Sequence, residues 1–79
     1  MNNAEEIITF INDELLDEPE DIGIDTSLFE DRILDSLNLV MLIGFLEEKY
    51  AIKIKTSEVS IENLDSVSKM ISFINKKNN

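Results

Sequence analysis

Apolar residues recur at helical spacing in three stretches of the 79-residue chain, separated by a long acid-rich interval and a short alternating one. Ile7, Ile8, Phe10, Ile11, Leu15 and Leu16 predict a first helix over about 4–16, with Asn3 and Glu6 as a cap-and-return pair at its start. Leu39, Leu42, Ile43, Leu46 and Tyr50 fall on one stripe and predict a second helix from Asp35 or Ser36 to about Lys49. Val67, Met70, Ile71 and Ile74 predict a last helix, capped by Asp65 or Ser66 and running to about Asn75, with Lys76 and Lys77 complementing its dipole.

The intervals carry their own signals. Pro19 and Gly23 break the helical pattern, and from Leu16 to Asp35 the apolar residues Ile22, Ile24, Leu28 and Phe29 are scattered among acids. This predicts a long anchored loop, with one short turn nucleated at Ser27-Leu28-Phe29-Glu30. Ala51 to Lys55 alternates like a strand but has no second strand to pair with, so it is expected to be an extended connector whose Ile52 and Ile54 plug the core. Thr56 to Ser60 is expected to form a short helical turn. The fold class is therefore all-α: a small helical bundle of three longer helices plus one short helix, with a long first loop, in a single domain over residues 1–79.

Composition narrows the chemistry. The chain has no cysteine and no histidine, which excludes disulfide frameworks, thiol catalysis, the usual zinc sites and imidazole acid–base chemistry. Its formal net charge of −10 is concentrated in residues 1–35, where twelve acids face Arg32 alone; residues 36–79 hold five acids and six bases. Such a field disfavours nucleic acid and anionic lipid as partners, steers basic protein surfaces inward, and predicts that salt or divalent cations raise the melting temperature. Asp17, Glu18, Glu20 and Asp21 near Gly23 fail the spacing of a calcium loop, because Phe29 stands where the closing glutamate is needed, so no metal site is expected. A bundle this short is not expected to build a concave pocket for paired-carboxylate hydrolysis. With no spanning-length apolar run and no charged leader, a soluble cytoplasmic monomer is expected.

Ser36 is the candidate functional residue. It lies in Ile33-Leu34-Asp35-Ser36-Leu37, where the acid-rich stretch meets the second helix, so its hydroxyl is expected to be exposed beside the unpaired amides and positive dipole end of that helix. An Asp-Ser pair before an apolar run is also an ordinary helix cap. The order of Ser27-Leu28-Phe29, Ile33-Leu34-Asp35-Ser36-Leu37, Leu46-Glu47-Glu48-Lys49-Tyr50, Ile52-Lys53-Ile54, Asp65-Ser66-Val67 and Ile71-Ser72-Phe73-Ile74 resembles that of the acyl carrier protein family over nearly the whole chain.

The resemblance implies that Ser36 carries 4′-phosphopantetheine, joined by a phosphopantetheinyl transferase from coenzyme A, and that an acyl or aminoacyl group rides on the thiol of that arm. It implies a carrier with no catalytic residues, loaded by one enzyme and unloaded by others in fatty-acid, polyketide or nonribosomal-peptide-type biosynthesis. Asp35 is expected both to cap the second helix and, by resemblance, to lie where the transferase approaches. The same resemblance makes Leu37 a contact that partners cover. At 100° per residue the outward face of the second helix also presents Val40, Met41, Gly44, Phe45 and Glu48. This apolar surface is expected either to dock partner enzymes or, at Met41 and Phe45, to fold under the crossover or the third helix, since Phe29, Ile33 and Leu34 need partners too. Fatty-acid carriers typically show acids early on this helix, where the chain has Asn38 and Met41; this tilts toward aminoacyl or D-alanyl carriers, while the general acidity and Leu46-Glu47-Glu48 suit an acyl carrier. A different class of function is also compatible: a noncovalent acidic adaptor whose serine is never modified.

Overall fold

In the computed structural model, which describes residues 3–78, the helices form where the sequence supplies both an apolar stripe and a way to satisfy the terminal amides. Helix α1 (Asn3–Phe10) continues into a π-helical turn, Ile11–Leu15, closed by the Leu16 amide donating to the Ile11 carbonyl at 3.1 Å. Asn3 is the first residue of α1 and not its cap; the cap position lies outside the described residues. Helix α2 (Ser36–Tyr50) begins at Asp35, α3 (Ile61–Leu64) at Ser60 and α4 (Val67–Lys77) at Ser66, each of these side chains accepting from the backbone amide three residues on. Among the described residues there is no strand, and three helices exceed seven residues. The all-α bundle with three longer helices and one short one is thus observed.

The short elements differ in detail from expectation. Thr56–Glu58 is a 3₁₀ turn, and the short α-helix is α3, one step further along, where Ile61 and Leu64 lie three residues apart beneath the Ser60 cap. Helix α4 runs two residues past Asn75, and its last-turn Lys77 reaches back to Glu58 at 2.6 Å while lying over the Phe73 ring. That ion pair, together with the Lys55 amide, holds the Glu58 carboxyl below its ordinary value. Helix α2 ends at Ala51, which takes a left-handed conformation (φ 55°) so that its amide and that of Ile52 both reach the Glu47 carbonyl.

The core is one cluster drawn from all four α-helices and the π turn: Ile7 and Ile11 from the first helical segment, Leu42 and Leu46 from α2, Leu64 from α3, and Val67, Met70, Phe73 and Ile74 from α4. Each fully buried aliphatic side chain here contributes roughly 1.5–3 kcal/mol. Of the expected α2 stripe, Leu42 and Leu46 are fully buried, while Leu39, Ile43 and Tyr50 pack half-buried at its margin. Burial, with the Glu6 charge alongside, pushes the Tyr50 hydroxyl up. The connector between α2 and α3 behaves as expected, with Ile52 buried and the Ile54 amide bonded to the Glu47 carboxylate at 2.9 Å.

The long loop 16–35 is pinned at both levels. Ile22, Leu28 and Leu34 are buried anchors, whereas Ile24 stays half exposed. Its backbone is tied to the opposite end of the bundle: the Leu28 amide donates to the Asp65 carbonyl (2.7 Å) and the Ser68 amide to the Ile24 carbonyl (2.8 Å). A turn does form at Leu28–Arg32, closed by Arg32 donating to the Phe29 carbonyl, with Arg32 at φ 60°.

Candidate functional site

The loop delivers Asp35 to the start of α2 in extended conformation, and a reciprocal capping box fixes it there. The Asp35 carboxylate accepts from the Asn38 amide at 2.9 Å, and the Asn38 side chain accepts from the Asp35 amide at 3.1 Å. The Asn38 side-chain amide also donates to the Leu15 carbonyl at 3.3 Å, locking the start of α2 to the end of the first helical segment. Asn38 therefore has a structural use that an acid at this position would not supply, since a carboxylate has no hydrogen to give Leu15.

Ser36 is the first residue of α2 and is exposed. Helix geometry leaves the amides of Ser36 and Leu37 without intrahelical acceptors, because the Asp35 carboxylate takes the Asn38 amide and the Asp35 carbonyl takes that of Leu39 (3.0 Å). The hydroxyl thus stands in solvent beside two outward-pointing donors at the positive end of a 15-residue helix, an environment that accommodates a phosphodiester. The residues present are compatible with a phosphopantetheine group: Ser36 is exposed, and a phosphodiester on its hydroxyl would lie beside free amides without displacing the Asp35 cap.

Most of the residues expected on the outward face of α2 are exposed. Leu37 is 68% exposed, Val40 66% and Met41 44%, and Gly44 and Glu48 are also exposed. A methyl group built on Gly44 would meet no atom within 4 Å, so no packing within the chain requires glycine there. Phe45 departs from the outward face: it is half-buried and stacked on Phe10, with ring centroids 4.0 Å apart and 11° between planes. The reason is that α1 crosses close enough to α2 to offer an aromatic partner that periodicity on α2 alone does not reveal.

Two features escaped the sequence reading. The first is an apolar cleft of about 240 Å³ lined by Phe29, Leu39, Val59, Ser60, Ile61 and Leu64. Leu39 is three residues past Ser36, placing the cleft one helical turn from the exposed hydroxyl. The bundle thus does build a concave apolar surface, though without the carboxylates that hydrolysis needs.

The second is Asp65, expected only as a possible cap. It is 2% exposed, and Oδ1 accepts from the amides of Phe29 (2.9 Å) and Glu30 (3.2 Å). Burial pushes its carboxyl up, but the Phe29 amide, the Ser27 hydroxyl, the Glu30 amide and the Lys69 charge together outweigh this and leave it below the ordinary value. The cap on α4 is Ser66, whose hydroxyl accepts from the Lys69 amide at 3.2 Å. Among the described residues no group of three carboxylates is placed to hold a metal ion, and no helix is long and apolar enough to cross a membrane.

Residues 5–74 match the family described as "Phosphopantetheine attachment site". An acyl carrier protein of Chlamydia trachomatis serovar D is 39% identical over 79 residues, covering all of both chains. An acyl carrier protein of Buchnera aphidicola subsp. Acyrthosiphon pisum is 44% identical, covering 99% of this chain and 96% of that one. Among solved structures, a chain in one titled "Crystal structure of FAD-dependent dehydrogenase" superposes with a TM-score of 0.77 at 35% identity, over 86% of this chain and 97% of that chain.

Proposed function

Because the chain belongs to the phosphopantetheine-attachment family of acyl carrier proteins, we propose that Ser36 is the hydroxyl to which the arm is joined and that an acyl group is its load. The observation that carries this is the exposed Ser36 hydroxyl at the amide-bearing start of α2, held in place by a cap that uses its neighbour and not itself. The arm, when bound, supplies the thiol that the cysteine-free chain lacks. What the chain's own residues do is hold the attachment point rigid, present Leu37, Val40 and Met41 to partner enzymes, and offer the adjacent apolar cleft to the aliphatic part of the load.

Partners follow from this role: a phosphopantetheinyl transferase that approaches Asp35 and Ser36, a loading enzyme, and acyl-using enzymes downstream. The naming of the full-length relatives supports an acyl cargo, which we read as fatty acyl or polyketide. The apolar α2 face, with Asn38 and Met41 where acids are typical of fatty-acid carriers, favours a second reading in which the load is an aminoacyl group and the partners are of the nonribosomal type. The likeness to a chain from a FAD-dependent dehydrogenase structure adds a flavin-dependent dehydrogenase to the proposed partners of the loaded arm.

The test is intact mass after incubation with coenzyme A, magnesium and a promiscuous transferase. One phosphopantetheine addition to the wild type, abolished by Ser36→Ala, is expected. Unmodified spectra for both would favour the noncovalent adaptor.

A further inference from the structure

Asp65 makes a set of bonds that a helix junction does not need. Ser66 already caps α4, yet Asp65 turns its buried carboxylate the other way, onto the amides of Phe29 and Glu30 and the Ser27 hydroxyl, while its carbonyl takes the Leu28 amide. Four consecutive residues of the loop, 27–30, are thus fastened to one residue between α3 and α4. The residues so joined are two walls of the apolar cleft: the ring of Phe29, whose amide Asp65 holds, and Leu64, the residue that precedes Asp65.

From this juxtaposition we infer that Asp65 is a positioning residue that fixes the separation of the Phe29 and Leu64 walls and thereby sets which aliphatic loads the cleft shelters. The inference rests on the reading that Ser36 carries the loaded arm. The remaining wall contacts do not fix this spacing. Leu39 belongs to α2, and Val59, Ser60 and Ile61 lie on the same side as Leu64 in the chain. Among the cleft walls, only Phe29 comes from the long loop, and the polar bonds from Asp65 to its backbone are directional where apolar packing alone allows sliding.

The experiment uses the full chain carrying acetyl, butyryl or octanoyl thioesters, made from the corresponding acyl-coenzyme A with a promiscuous transferase and verified by mass. Cleavage by hydroxylamine is timed against the same thioester on free pantetheine, at a temperature where circular dichroism shows each variant folded. In the wild type the octanoyl form is expected to be protected about tenfold relative to the acetyl form, the effect of about 1.4 kcal/mol of sheltering. Asp65→Asn, which keeps an oxygen for the two amides, is expected to retain protection, and Asp65→Ala to lose it.

A merely structural Asp65 would lower the melting temperature in the alanine variant and leave protection of the folded protein unchanged; that result overturns the inference. Should Asp65→Ala not fold, Phe29→Ala decides, because it removes the wall and leaves the backbone bonds: unchanged octanoyl protection there overturns the inference, and loss supports it. Absence of any mass addition would sink the reading of Ser36 and this inference with it, whereas addition without octanoyl protection in the wild type sinks the inference alone.

Discussion

The chain contains the same dipeptide twice, Asp35-Ser36 before Leu37 and Asp65-Ser66 before Val67, each at the start of an apolar helix, and the two are used in opposite ways. At the first, the aspartate caps and the serine is the first residue of the helix, exposed. At the second, the serine caps at 5% exposure and the aspartate turns inward to hold the loop. Local sequence offers both arrangements in both places. What decides is the surroundings: α4 starts against α3 and the loop turn, where four loop groups need an acceptor, while α2 starts at the surface, where no such demand exists and the carboxylate is free to cap.

The largest expected effect separates these two aspartates by stability. Asp65→Ala leaves the part-buried Phe29 and Glu30 amides without the acceptor they use and is expected to cost about 2–3 kcal/mol. Asp35→Ala removes an exposed cap and is expected to cost about 1 kcal/mol. Urea unfolding of both variants checks this, and equal losses would erase the distinction between clamp and cap.

The comparison sharpens with pH. Because the folded-state value of Asp65 is lowered, its contribution is fully present above the unfolded value, near 3.8, and is lost as pH falls through the lower folded value. The stability difference between wild type and Asp65→Asn is therefore expected to be constant from pH 7 to about 5 and to shrink below about 4. Protonation of the remaining acids relieves repulsion in both proteins alike, so the difference, measured by thermal unfolding, isolates Asp65. A difference that grows as pH falls would contradict the assignment.

The smallest effect concerns the exposed face that only the first pair borders. Gly44→Ala is expected to stabilise α2 by up to about 1 kcal/mol, since the added methyl meets nothing and helix propensity improves. A gain in melting temperature with unchanged modification of Ser36 would mark Gly44 as incidental to attachment; a loss of stability would show a packing constraint.

Much of this was legible from residue order. The stripe Leu39, Leu42, Leu46 marked the core face of α2, and the position of Ser36 where the acid-rich stretch meets the helix start foretold its exposure. The chain around Asp65 was not legible, because a carboxylate that bonds residues 36 positions away leaves no local signature. The apolar cleft was hidden for the same reason: Phe29, Leu39, Val59 and Leu64 share no periodicity, and only the loop's return across the bundle brings them together. Phe45 shows the complementary failure, where a correct period on α2 still misplaced a side chain because its partner, Phe10, lies on another helix. The π turn at Ile11–Leu15 leaves even less trace, since its apolar residues also suit a plain α-helix.

The most direct test exploits the repeated dipeptide. Wild type, Ser36→Ala and Ser66→Ala are each incubated with coenzyme A and a promiscuous transferase, and the intact masses are compared. One phosphopantetheine on the wild type and on Ser66→Ala, with none on Ser36→Ala, is the predicted result. Addition that survives Ser36→Ala, or is lost only with Ser66→Ala, would contradict the placement of the arm at the exposed start of α2.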